Sequence, residues 1–135
     1  MAEQVKLTAS EKGRHAELLA QTALLARGWS VLEPIAPEPY DLAIRRHADN
    51  RTYYVQVKTV LYRDEAKYNG EWLVVKGAKS NRKVYTRNEV DYFVAVWRGG
   101  VYMFPNEGKS EYWVRPWEIN GKWRRIDEGE VNDGD

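Results

Sequence analysis

Four residues in the first half of this chain carry side chains that could act together on a cation or an anion: Glu17, Asp41, Gln56 and Lys58. Carboxylates and an amide oxygen are hard donors that suit a cation such as Mg²⁺, and an ammonium stabilises developing negative charge. The last two sit in "YYVQVKT" (53–59), a run of strong strand formers. In a strand, alternate residues share a face, so Tyr54, Gln56 and Lys58 point one way and Tyr53, Val55, Val57 and Thr59 the other. One face of an otherwise apolar strand is therefore polar. It is either wet or a site.

Asp41 belongs to "YDLAIRR" (40–46), which with 52–60 flanks the turn-rich "HADNR". This pattern predicts an antiparallel hairpin. A turn centred between Asp49 and Asn50 sets Asp41 opposite Lys58 and Ala43 opposite Gln56, and buries Leu42 and Ile44 with Val55 and Val57. A slip of one residue moves Asp41 to the opposite face from Lys58. A plain cross-strand ion pair between Asp41 and Lys58 is the structural alternative to a site.

Glu17 lies in "EKGRHAELLAQTALLAR" (11–27), rich in Ala and Leu. The segment predicts a helix, opened by the capping box of Thr8 and Glu11 (with Ser10 as a competing cap) and closed by Gly28. At about 100° per residue Glu17 stands toward the packing face, near Ala20 and Leu24. A carboxylate there needs a base or a metal ion; Arg14 and Gln21 are the local alternatives.

The remaining elements follow in order. Residues 29–32 read as a short strand, the proline-rich 33–39 as loop, and 61–70 as a polar loop leading to a strand at 71–76. "TRNEVD" (86–91) predicts a short turn of helix capped by Thr86. "YFVAVW" (92–97) and "VYMFP" (101–105) around "RGG" predict a hairpin, and 110–126 a strand and irregular chain in which Trp113, Trp117 and Trp123 finish the core. One helix followed by strands predicts an α/β fold of the α+β kind, with the helix packed on a central mixed sheet. His15 and His47 lack the number and spacing for zinc and read as surface residues.

Composition narrows the function. The chain has 135 residues, 43% hydrophobic and 13% aromatic, which predicts one domain over 1–126 with a real core. It has no cysteine, no apolar run of membrane-spanning length and no signal-peptide core at its start, so the expectation is a cytoplasmic protein. The acidic 127–135 reads as a disordered tail, and its five acids leave +6 on residues 1–126. Arg45–Arg87 holds eleven bases against four acids, with five bases in "KGAKSNRKVYTR" (76–87). A charge run is commonly a solvated loop. The sharper reading makes Lys76, Lys79, Arg82, Lys83 and Arg87 a surface for nucleic acid.

Glu17, then Asp41, then Gln56-Val57-Lys58 resembles the PD-(D/E)XK nuclease superfamily, in which a helix gives a Glu, one strand an Asp and the next a (D/E/Q)-X-K triplet. "AELLAQTALLARGW" (16–29) is similar to the helical portion of archaeal Holliday-junction resolvases, and "QVK" to the triplet of a bacterial homing endonuclease of this fold. Residues 10–60 carry the likeness; 85–97 fits the later strands only loosely. Tyr40 stands where the proline before the Asp is usual, and Gln56 where an acid is usual. The resemblance implies an endonuclease acting on DNA, nucleoid-associated when bound, including branched DNA, and working as a homodimer or higher oligomer. It implies Mg²⁺, or Mn²⁺ in its place, held by Asp41, Gln56, the Val57 carbonyl and Glu17, with Lys58 as the catalytic lysine. A non-catalytic nucleic-acid-binding module on the same fold is the alternative function.

Overall fold

The computed structural model describes residues 6–128. Thr8 starts the helix as its sequence predicts: its hydroxyl accepts the Glu11 N–H at 3.2 Å, and the Glu11 carboxylate accepts the Thr8 N–H at 2.9 Å. Helix α1 (Ala9–Ala26) then runs until Gly28, whose φ of +86° breaks the helical backbone where a side chain would be strained. Ala16, Ala20, Ala23 and Leu24 form its buried stripe. Three alanines in that stripe let the helix backbone lie close to the sheet beneath.

That sheet has six strands in the order β1-β2-β3-β6-β7-β9. β1 is Ser30–Leu32, β2 Leu42–Arg46, β3 Arg51–Thr59, β6 Tyr92–Trp97, β7 Gly100–Pro105 and β9 Arg124–Arg125. β3 pairs β2 antiparallel and β6 parallel, so the sheet is mixed. Leu42, Ile44, Val55 and Val57 pack against Ala20 and Leu24 of α1 in one core cluster. β6 and β7 close through Arg98 and Gly99, both at positive φ, as a two-residue hairpin turn requires.

The β2–β3 register differs from the predicted one by two residues. Leu42 faces Val55 and Ala43 faces Tyr54, where the predicted turn set them opposite Val57 and Gln56, and the ladder ends before Asp41, whose N–H donates to the Val55 carbonyl. The turn decides this. Asn50 takes the left-handed conformation (φ 56°), its N–H reaches the Arg46 carbonyl, and the Asp49 carboxylate accepts the Arg51 N–H. These contacts close the loop at Arg46–Arg51. A slip of two leaves every side chain on its expected face.

A parallel pair needs a crossover, and residues 60–91 supply it. They contain β4 (Leu61–Glu65) and β5 (Gly70–Lys76), which with β8 (Glu111–Val114) form a second, three-stranded sheet. β4 lies where a polar loop was expected. Leu61 and Tyr62 are both exposed, so the strand has no apolar periodicity to announce it. Residues 86–90 make a single turn and no helix: Thr86 and Glu89 cap each other, and the Asp91 N–H leaves the turn for the Tyr54 carbonyl. The second core cluster joins this sheet to the far face of the first, through Leu73, Val75, Phe93, Phe104, Tyr112 and Trp123.

Of the three tryptophans expected in the core, Trp123 is buried and stacks on Phe104, and Trp113 is half-buried beside Trp72. Trp117 is 69% exposed, because the 3₁₀ turn Pro116–Glu118 aims it outward. Asp127 accepts the Val101 N–H, so the folded chain extends past 126; the rest of the acidic tail, 129–135, lies outside the described residues.

Buried Asn106 ties the turn at 86–90 to the fold. Its amide donates to the carbonyls of Tyr85, Thr86 and Val90, and its oxygen accepts from the Gly108 N–H and the Tyr112 hydroxyl. Truncation orphans several of these groups at once. Asn106→Ala should lose about 3 kcal/mol in urea unfolding, on the scale of buried groups left without partners.

Candidate active site

The end of β2 creates the site. Along β3, even-numbered residues direct their backbone groups toward β6: the Tyr54 carbonyl accepts from Asp91 N–H, and the Val60 N–H reaches Val96. Odd-numbered residues therefore face β2, as the Asp41 N–H to Val55 carbonyl bond shows. β2 begins only at Leu42, so at Val57 no strand is left to pair with. The Asp41 carboxylate fills that gap, accepting the Val57 N–H at 2.9 Å. In an extended chain the Val57 carbonyl points to the same side. An acid is thus locked at the strand edge beside a backbone oxygen that the ladder has released.

Gln56 and Lys58 project on the face of Ala43 and Tyr54, next to the strand end where the Asp41 carboxylate sits within electrostatic reach of Lys58. The Gln56 Oε1 is buried and has no hydrogen-bond partner among the described residues. An amide oxygen in that condition is destabilising unless something binds it. Lys58 makes no ion pair among the described residues; its ammonium stands 5.2 Å from the centre of the Tyr85 ring. The plain Asp41–Lys58 ion pair is not formed.

Burial works against both charges at the site. Burial pushes the Asp41 carboxyl above the ordinary carboxylate range, the Val57 N–H draws it back, and the nearby Glu17 charge raises it further. Burial likewise pushes the Lys58 ammonium down, with Asp41 opposing the shift. Each charge pays for desolvation that its neighbours only partly offset.

Glu17 arrives from the other side of the sheet. α1 covers the Leu42 and Val57 face, and Glu17 reaches round the start of β2 to line, with Tyr40, Asp41 and Glu33, an open cleft of about 380 Å³. Arg14 Nη1 lies 3.1 Å from Glu17 Oε2 and 3.4 Å from Glu33 Oε1. The structure thus brings Asp41 together with Glu17 at the cleft and within electrostatic reach of Lys58. Gln56 and Lys58 do not line the cleft itself. Lys58 lies toward the Tyr85 ring.

No three His, Cys, Asp or Glu side chains converge among the described residues. Asp41 and the Val57 carbonyl are oxygen donors at the strand edge, and the orphaned Gln56 Oε1 is a further oxygen that a hard cation such as Mg²⁺ would satisfy.

The basic segment divides in two. Lys76 pairs with Glu111 and Lys79 with Glu89, while Arg82, Lys83 and Arg87 are exposed. Arg82 sits at φ +70° at the tip of a small loop closed by Ala78–Val84. His15 and His47 are exposed, as expected. Tyr85 and Asn106 had no signal in the sequence: each acts through contacts made far along the chain.

Comparison with known proteins bears on the family and the fold. A model of the PD-(D/E)XK endonuclease family matches residues 7–116. The fold is similar to the solved structure of the bacterial homing endonuclease I-Ssp6803I, with a TM-score of 0.64 and 26% identity over 80% of this chain and 78% of that one. No curated protein matches the chain in sequence. With its mixed sheet, its N-terminal helix and a family match across most of its length, this chain belongs to the PD-(D/E)XK endonuclease family.

Proposed function

We propose that the chain is a Mg²⁺-dependent endonuclease that hydrolyses phosphodiester bonds in DNA, including branched DNA, with Mn²⁺ able to replace Mg²⁺. The observation that supports this reading best is the buried Gln56 Oε1, without a partner among the described residues, on the same face of β3 as Lys58, whose charge acts on Asp41. Asp41, Gln56 and the Val57 carbonyl would hold the ion, with Glu17 contributing directly or through water in place of its pairing with Arg14. The ion would supply acidification of a water and neutralisation of a phosphate oxygen.

The chain's own residues do the rest. Lys58 orients the attacking water and, with its proton affinity lowered by burial, can accept its proton. As an ammonium it stabilises the charge that gathers on the phosphorus oxygens in the transition state. Val57 fixes Asp41 through its N–H, so the carboxylate needs little rearrangement. Cutting both strands takes two such centres, which supports a homodimer as the working unit.

Incubation with supercoiled plasmid and with a synthetic four-way junction, in Mg²⁺, Mn²⁺ or EDTA, tests the activity. Nicking that depends on metal is expected. Binding of both DNAs without cutting in any metal would leave the non-catalytic binding module.

DNA contact falls to the exposed Arg82, Lys83 and Arg87 more than to Lys76 and Lys79, whose charges are already met by glutamates. Each phosphate contact contributes about 0.9 to the log–log salt slope for duplex DNA. Removing all three exposed bases as alanines should flatten the slope by roughly 2–3. Lys76→Ala should change it far less, and an unchanged slope in the triple variant would make the segment a solvated loop.

A further inference from the structure

A second cavity adjoins the Asp41 centre, and nothing in the cleavage chemistry uses it. It holds about 300 Å³ and is lined by Glu38, Pro39, Tyr40, Tyr54, Asn88 and Glu89. Its floor is aromatic: the rings of Tyr40 and Tyr54 stack with centroids 4.3 Å apart and planes 25° from parallel. Tyr54 is 36% exposed although it stands on a central strand. We propose that this cavity seats a single extrahelical nucleobase of the DNA substrate, stacked on the Tyr40–Tyr54 pair.

Position favours this occupant. Tyr40 precedes Asp41, and Tyr54 shares a face with Gln56, two residues and about 6.6 Å along the strand. A base seated there belongs to a nucleotide next to the phosphate at the metal site. Charge favours it too. The rim carries Glu38 and Glu89, and the latter is committed to Lys79 and the Thr86 N–H. Such a rim repels phosphate, yet a carboxylate and the Asn88 amide can accept the exocyclic N–H of an adenine or cytosine.

The walls are built in advance. The Tyr54 N–H donates to the Asp91 carboxylate at 2.7 Å, and its carbonyl accepts the Asp91 N–H at 2.8 Å. Asp91 ends the turn that carries Asn88 and Glu89, and Asn106 holds that turn from below. A rigid aromatic floor opposite a pinned turn binds a planar group with little ordering loss. The inference deepens the nuclease reading and rests on it: it names DNA with an unpaired base beside the scissile bond as the preferred substrate.

Two duplexes test it, one with a bulged 2-aminopurine and one with the same base paired, bound in EDTA. The wild type should bind the bulged duplex about 10-fold tighter or better, and should quench its fluorescence by stacking. Tyr54→Ala should bring that affinity down to the paired-duplex level and leave the paired duplex unaffected, whereas Tyr54→Phe, which keeps the ring, should retain the preference. Tyr40→Ala gives the same reading should Tyr54→Ala fail to fold. Equal affinity for the two duplexes in the wild type, or a preference that survives both alanine variants, would overturn the proposal. Cleavage in Mg²⁺ is read separately. A preserved preference without cutting removes the nuclease reading alone, and cutting without preference removes the base seat alone.

Discussion

Lys58→Met should leave a folded protein that binds DNA and metal but cuts at least about 10³-fold more slowly. Methionine keeps most of the aliphatic stem, and the position is only half-buried, so packing changes little. What disappears is the ammonium, the one cation on the Gln56 face of β3. Removing a single group that stabilises transition-state charge typically lowers turnover 10²–10³-fold, and a role in proton transfer adds to this. Because burial opposes the Lys58 charge, the variant's melting temperature should be unchanged or higher. Lys58→Arg should fail to restore activity, since a guanidinium neither fits the half-buried volume nor gives up a proton. Plasmid nicking and thermal melting of the three proteins check both halves. A Lys58→Met protein that cuts at wild-type rate would make Lys58 a structural lysine.

Asp41→Asn should abolish metal-dependent cutting and, without metal, stabilise the fold. The asparagine oxygen can still accept the Val57 N–H, so the backbone anchor survives. The carboxyl's folded pKa lies above its ordinary value, so folding opposes ionisation, and the resulting destabilisation grows as pH rises through the carboxylate range. It is complete above the folded pKa. The stability gap between variant and wild type should therefore be small in acid and full at neutral pH. A gain of about 1 kcal/mol would appear as a melting shift of roughly 4 °C. Added Mg²⁺ should reverse the order, raising the wild type by mass action and leaving the variant where it was. DNA affinity should hold or rise, because one negative charge facing phosphate is gone. Melting curves at acidic and neutral pH, with and without Mg²⁺, read all of these.

These effects hang on side chains whose faces, though not whose partners, were legible in the sequence. Period-2 alternation in 53–59 places Gln56 and Lys58 on one face, as the pairing of β3 with β6 has them, whereas Asp41 stands past the strand end, where its carboxylate takes the Val57 N–H. The register itself was set by Asn50 and Asp49 in the turn, a local choice that hydrophobic alternation does not fix. The helix was readable because its caps lie within the segment they end. β4 was not, because an edge strand wet on both faces has no period. The second sheet depends on β8 returning to β5 from some forty residues away, and only tertiary packing creates that pairing. Tyr85 over Lys58 and Asn106 beneath the turn are contacts of the folded state alone, whereas Arg14 on Glu17 is a local pair one helical turn apart that the sequence offered.

The metal centre is tested most directly by calorimetric titration of Mg²⁺ and Mn²⁺ into the wild type and Gln56→Glu, with the plasmid assay run beside it. Gln56 holds an amide oxygen with no partner, so the wild type should bind one divalent ion weakly per chain, and Gln56→Glu, with one more negative charge, should bind it tighter and retain cutting. Asp41→Asn should bind none. Absence of binding in both wild type and Gln56→Glu, with no cutting by either, would contradict a metal-dependent nuclease centre at Asp41, Gln56 and Lys58.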